Sequence, residues 1–501
     1  VGYESIGWDI HMTETVSTYR PAGTLNLSAA LEPYRGPWNE RLAAHLMRRA
    51  GFGGTPEQVA ALGRQSMDRA VDSLVKFPST TALPAAPGDM PSAGEVMDSV
   101  RSIAMAAGKD DDALKEARKQ LAALYRRGYE KLGRWWLDRM IATPAPLQEK
   151  MTLMWHGHFA SATGQKGITP SEGLAQNQLF RTYALGNVRE LAHNIIKDPA
   201  MLKYLDNTRS RKEHPNENLA RELMELFTLG IGNYTETDVR EGARALTGYS
   251  VARGTGEFAF YDRYHDDGEK LFLGRRGSLN GDSVVDIIFD QPAASRWFSR
   301  KLLNFYVYND PEPDLVGAVA ALMVKNQYNL LPVMSTLLRS NVFYSDRAYR
   351  ALVKSPAEFV VGTYQLLGAQ QSSPAAVVAM ARMGQVLFRP PSVKGWDGGA
   401  TWLNSQTMLT RENFVSSVMT AEMTGGAAWM AQGGINAPAT ANHFVSTILQ
   451  GDASAASVAR VVSYLNGASD SAMGAFSGEN YEERLRGAAY LTMAMPAYQL
   501  A

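Results

Sequence analysis

Apolar residues recur at spacings of three and four along most of this chain, the interval that stacks side chains on one face of an α-helix. In "NERLAAHLMRRAGFGG", Leu42, His45, Leu46 and Arg49 share a face, and Gly51, Gly53 and Gly54 end the pattern. "TPEQVAALGRQSMDRAVDSLV" follows, with Thr55 as cap, Pro56 at the first helical position and Glu57 behind it. Pro84, Pro87 and Pro91 mark 80–92 as a linker. Two long helical patterns fill 93–141, and "PAPLQEKMTLMWHGHF" starts another that carries "WHGHF" to its C-terminal end. Further helices are predicted over 170–184, 187–197, 216–229 and 235–248. From Val251 to Gly274 aromatic and polar residues alternate around Asp267-Gly268, which predicts a β-hairpin. Helical periodicity returns at "DSVVDIIFDQPAASRWFSRKLLNFYV" and holds to the end, without a fixed-period repeat.

The reading is mainly α: a large multi-helix domain with a small β-hairpin insertion. Its divisions are an N-terminal arm (1–38), a helical core (39–250), the hairpin insertion (251–285) and a C-terminal helical region (286–501).

Composition narrows the function classes. Of 501 residues, 45% are hydrophobic and 20% charged, enough apolar material for a substantial core. Fifty basic residues balance fifty acidic ones, so no basic footprint points to nucleic acid. The absence of cysteine excludes disulfides, thiolate metal sites and cysteine nucleophiles, and suits an exported protein. Val1 in first place suggests a processed chain. The longest uncharged run, Met423 to Gly451, is broken by glycines, Asn436 and Pro438; it is read as a Gly/Ala-rich loop or buried segment, so no membrane span is expected.

Four constellations could carry chemistry. His156 and His158 are two of only eight histidines. On a regular helix, residues two apart diverge by about 200°, so a shared metal requires the helix to end at Gly157. With His265 they would form an open site for a divalent transition metal: zinc, copper or iron. The alternative is a helix cap at His156 and a packed ring at His158. In "HPNENLARELMELFTLGIGNYTETD", Glu222 and Glu225 flank the Leu219–Leu223–Leu226 stripe, placing either as general acid/base, tuned by Arg221. A solvated ion-pair face is the rival, and Glu217 is assigned a structural role. "YHDDG" offers His265 as a ligand and Asp266 as a fourth ligand, orienting group or catalytic carboxylate. In "RPPSVKGWDGGATWLN", Trp396, Asp397, Trp402 and Asn404 suit a sugar platform, or else anchor the loop to the body.

P-loop, dinucleotide GxGxxG, HExxH, GxSxG and EF-hand motifs are absent. Taken together, "HLMRRAGFGG", "MWHGHFAS", "NENLARELMELFTLGIGNYTETDVREGARALTGY", "HDDGEKLFLG" and "PPSVKGWDGGATWLN" resemble a large bacterial family known as domain of unknown function eighteen hundred. The match in order runs from about Asn39 to the closing "MAMPAYQLA". The resemblance implies an exported protein, periplasmic or secreted, with a sulfatase-like exported protein as a candidate partner; it implies no reaction. The leading expectation is an enzyme, hydrolytic or oxidative, acting on an extracellular polysaccharide or glycoconjugate, with a metal-bound water as nucleophile in the hydrolytic form. Its rivals are a metal-free glycosidase or lyase with a carboxylate pair, and a non-enzymatic carbohydrate-binding or cell-surface assembly protein.

Overall fold

Caps decide where the helices start. The Asn39 side chain accepts the Leu42 N–H at the head of Glu40–Ala50, and Thr55 with Gln58 forms a reciprocal capping box ahead of Pro56–Gly63. Similar boxes open Pro170–Thr182, Glu236–Ala245 and Pro356–Leu366. The computed structural model describes residues 27–77, 84–88, 90–91, 93–107, 110–252, 255–421, 436–467 and 481–501. Among these are 21 α-helices and two small two-stranded sheets, so the chain is mainly α. No helix among the described residues is long and apolar enough to cross a membrane.

The 1–26 part of the expected arm lies outside the described residues. The remainder lies on the body: Tyr34 N–H donates to Arg339 O, and Pro33 bridges to Ser340. Of the uncharged run, 422–435 also lies outside the described residues. Ala437–Leu449, expected as loop or buried segment, is a helix capped by Asn436. Its periodic Ala441, Phe444, Val445 and Ile448 bury one face, which the neighbouring glycines obscured in the sequence.

The apolar side chains form two cores. One gathers helices from 42–75 and from 147–348; the other gathers 132–141 with 357–498. Pro146–His158, the histidine helix, lies along their seam. Leu147 to His156 and also His158 are buried, so this helix is enclosed on all sides rather than along one stripe, and its buried Glu149 and Lys150 are held by ion pairs.

The alternating segment forms two hairpins rather than one. β1 (Tyr249–Val251) pairs antiparallel with β2 (Phe258–Phe260), and β3 (Lys270–Phe272) with β4 (Arg275–Gly277). Asp267-Gly268, expected as the turn, precedes β3. The tight turn is Leu273-Gly274, both at positive φ (44° and 79°), with Phe272 opposite Arg275. That is the backbone a two-residue hairpin loop requires, and glycine supplies half of it without strain. Asp267-Gly268 is diverted because Lys270 Nζ ties back to the carbonyls of Asp266 and Gly268.

The helix Asn218–Glu222 continues as a π-helix over Leu223–Thr228. Leu229 N–H reaches back five residues to Met224 O, and Thr228 Oγ1 donates to Leu223 O. Such local widenings inside helices occur frequently at functional sites.

Candidate functional site

The histidine helix does not end at Gly157; it runs through His158. The two imidazoles therefore leave on opposite sides, as a regular helix dictates. His156 Nε2 accepts the Phe388 N–H at 3.0 Å, beneath the rings of Trp136, Phe388 and Trp396. His158 Nε2–H donates to Phe227 O at 2.9 Å, among Trp155, Phe159 and Phe298. Burial holds both rings near a pKa of about 3, with the charge of Lys301 adding to the effect at His158. Both are neutral at physiological pH.

Neutrality fixes the tautomers. If Nε2 of His156 accepts, its proton sits on Nδ1 and neither nitrogen keeps a lone pair for a metal. His265 is also buried, but its Nδ1–H donates to Thr247 O at 2.9 Å, beneath Phe260. Among the described residues no three His, Asp or Glu side chains form a group that could hold a metal ion. The expected site of His156, His158 and His265 is thus not assembled. Asp266, its expected fourth member, forms a two-pronged pair with Arg244 (2.7 and 3.2 Å) and accepts the Gly268 N–H. The Arg244 guanidinium holds its carboxyl below the usual range, so it acts as a fixed counter-ion.

Arg221 makes its hydrogen bonds to residues other than the two glutamates it was expected to tune. Its guanidinium binds Glu217 (3.0 Å) and Glu236 (2.7 and 2.9 Å), a network at the surface. Glu225 accepts the Tyr234 hydroxyl at 2.7 Å. Glu222 is half-buried, with no hydrogen-bond or ion-pair partner among the described residues. Burial pushes its pKa up, and the neighbouring Glu225 charge pushes it further, against a smaller opposing pull from Arg221. Carboxylates three apart on one helix share a face. They cannot flank a scissile bond from two sides, as a paired-carboxylate glycosidase requires.

The loop 389–404 is seated on the histidine helix. His156 holds its approach through Phe388, whose carbonyl also accepts from the Thr163 N–H and Oγ1. Gly395, at φ +82°, lies against the Gly157 carbonyl so closely that a Cβ would stand 2.1 Å from the oxygen. Trp396 then covers His156 at 5.6 Å between ring centroids. Downstream, Trp402 is buried over Gly384, and Asn404 exchanges two hydrogen bonds with Thr407 (2.9 and 3.0 Å) to cap Ser405–Ala421. The four loop residues singled out from sequence, Trp396, Asp397, Trp402 and Asn404, line one open pocket of about 270 Å³, joined by Arg382 and Gln406. Asp397 meets Lys394 at 2.5 Å at the rim. The side chains of Arg382 and Gln406 and the indole N–H groups of Trp396 and Trp402 have no hydrogen-bond partner among the described residues.

Three groups carried no sequence pattern. Glu149, fully buried, is held ionised by Arg181 and Arg139 and bound by the Trp136 indole (2.9 Å), so it fastens the histidine helix to two neighbours. Lys301 lies over the Trp297 ring at 4.8 Å; burial and then the Lys394 charge lower its pKa. Asp198 is buried beside Gln176 and pushed up to about 7 by desolvation. Apart from the Trp297 contact, four residues from Lys301 on one helix, the partners lie outside the spacing that helical rules cover.

No curated protein and no solved structure matches this chain. The family described as "Protein of unknown function (DUF1800)" matches residues 45–500, nearly the entire length. The chain belongs to that family.

Proposed function

We propose that the protein binds a glycan of an extracytoplasmic polymer in the pocket of the 389–404 loop, and that it works in the periplasm or outside the cell. The observation that carries this reading is the pocket's lining. Two indoles are combined with Asp397, Asn404, Arg382 and Gln406, and several of their polar groups are left unused by the protein. A sugar ring offers an apolar C–H face and a rim of hydroxyls. A site for it needs a flat apolar surface and a few planar polar groups at the edge. Trp396 supplies the surface, and its seat on His156 keeps it oriented without a ligand. The cysteine-free composition suits an oxidising compartment.

Affinity electrophoresis through gels containing a panel of bacterial and plant polysaccharides tests the reading. At least one polymer retards the protein if it holds. A panel in which no polymer does so removes it.

A second reading, a glycan hydrolase, rests on Glu222. A half-buried carboxylic acid with a raised pKa beside a second carboxylate is suited to hold a proton and deliver it to a leaving oxygen. On any polymer the protein is found to cleave, Glu222→Gln is expected to lower turnover by about a hundredfold or more while retardation in the gel persists. Unchanged turnover would sink the catalytic role.

A further inference from the structure

Where the two cores meet beside Glu40–Ala50, the interior contains more positive charge than the protein neutralises. Lys150 pairs with Glu358, and Arg350 with Asp452 at 2.6 Å. Four further cations, Arg48, Arg49, Lys354 and Arg411, are all less than a tenth exposed. None has a carboxylate within ion-pair distance among the described residues. Their partners are neutral: Arg48 donates to Gln450 Oε1 (2.6 Å), Arg49 to Val307 O and Ala348 O, and Arg411 to Lys354 O and Gln499 Oε1. Nε and Nη2 of Arg48, Nε and Nη1 of Arg49, and Nε of Arg411 are buried and have no acceptor among the described residues. The Lys354 ammonium makes no hydrogen bond among the described residues and lies 4.0 Å over the Tyr498 ring.

Arginine does not shed its proton to escape such a setting, and an uncompensated buried charge is among the costliest groups a fold can contain. Burial lowers Arg49 to about 9, Arg48 and Arg411 to about 10 and Lys354 well below its usual value. The charges of Arg48, Arg350 and Arg411 all bear on Lys354. Arg411 donates to the Lys354 carbonyl at 2.7 Å, and Arg48 and Arg350 share Gln450 Oε1 (2.6 and 3.2 Å), so hydrogen bonds gather desolvated donors of one sign. They match a doubly charged tetrahedral oxyanion, whose oxygens accept several N–H groups at once. Towards the surface the cluster continues through Gln450 and Asp452 to Tyr349 and Arg41, whose guanidinium lies 3.8 Å over the Tyr349 ring.

We propose that Lys354, Arg48 and Arg411 form the centre of a binding site for a phosphate or sulfate group, either a free ion or an ester on a larger molecule. The site uses none of the pocket residues of the 389–404 loop, so it stands independently of the glycan reading.

Calorimetric and thermal-melt titrations of the full chain test this at constant ionic strength in chloride, with sodium phosphate, sodium sulfate, a hexose phosphate and a hexose sulfate. Saturable one-to-one binding of at least one of them is expected, with a melting temperature that climbs as it is added. Lys354→Met and Arg48→Gln, made separately in case one fails to fold, should each weaken that binding by about tenfold or more. Binding of the esters but not the free ions would identify the group as part of a larger ligand. If none of the four binds to the wild type, and denatured protein releases neither anion, the proposal fails. It fails equally if both folded variants bind as the wild type does.

Discussion

At the scale of single residues, His156 and His158 owe their neutrality to burial, and this has a consequence for stability. In an unfolded chain an imidazole titrates near about 6.5, whereas in the folded protein both rings are held to about 3. Between those values the unfolded chain binds protons that the folded chain refuses. The stability associated with the neutral rings is therefore fully present above about pH 6.5 and is lost as pH falls towards 3, by on the order of 1 kcal/mol per pH unit for each ring. Asp198, raised to about 7, has the opposite slope, since from about pH 4 to 7 the unfolded chain gives up a proton that the folded chain keeps, and stability falls as pH rises through that window. The informative measurement is therefore a difference. Melting temperatures of the wild type and of His158→Gln, taken from pH 8 to pH 4, should converge towards the acid end. Parallel curves would mean that the ring is not held neutral by the fold.

Among the secondary-structure elements, the loop 389–404 and the π-helix are both held by the histidine helix, one on each side. Gly395 is the tightest point of that assembly. Gly395→Ala places a methyl group against the Gly157 carbonyl at a positive φ, which should cost roughly 1–3 kcal/mol and lift the loop. A lower melting temperature and faster tryptic cleavage at the exposed Lys394 would follow. An unaltered melt and digest would show that the loop does not depend on this contact. Local chemistry made much of this level legible in advance. Asn39, Thr55 and Pro56 marked their helix starts because caps act within three residues. The hairpin turn was misplaced for a tertiary reason, the diversion of Asp267-Gly268 by Lys270. The π-helix left no trace in spacing, since its widening accompanies the hydrogen bond that His158 sends to Phe227.

Across the whole molecule, the mainly α architecture followed from the spacing of apolar residues, and the four loop residues that share the pocket were legible because they are close in sequence. The histidines were not. Whether His156 and His158 converge depends on whether the helix continues, and a single glycine in a fully buried helix does not stop it. Nor could spacing reveal the gathering of Arg48, Lys354 and Arg411 from three distant segments. What results is a scaffold whose central helix fastens two cores and seats the loop that lines the pocket. The most direct test of that account uses Arg382 and Gln406, which line the pocket and whose side chains make no hydrogen bond among the described residues. With a polysaccharide that retards the wild type, the Arg382→Ala/Gln406→Ala double variant should lose about tenfold or more in affinity, while its melting temperature stays within about 1 °C of the wild type. Retardation equal to that of the wild type would place glycan binding elsewhere and contradict the account.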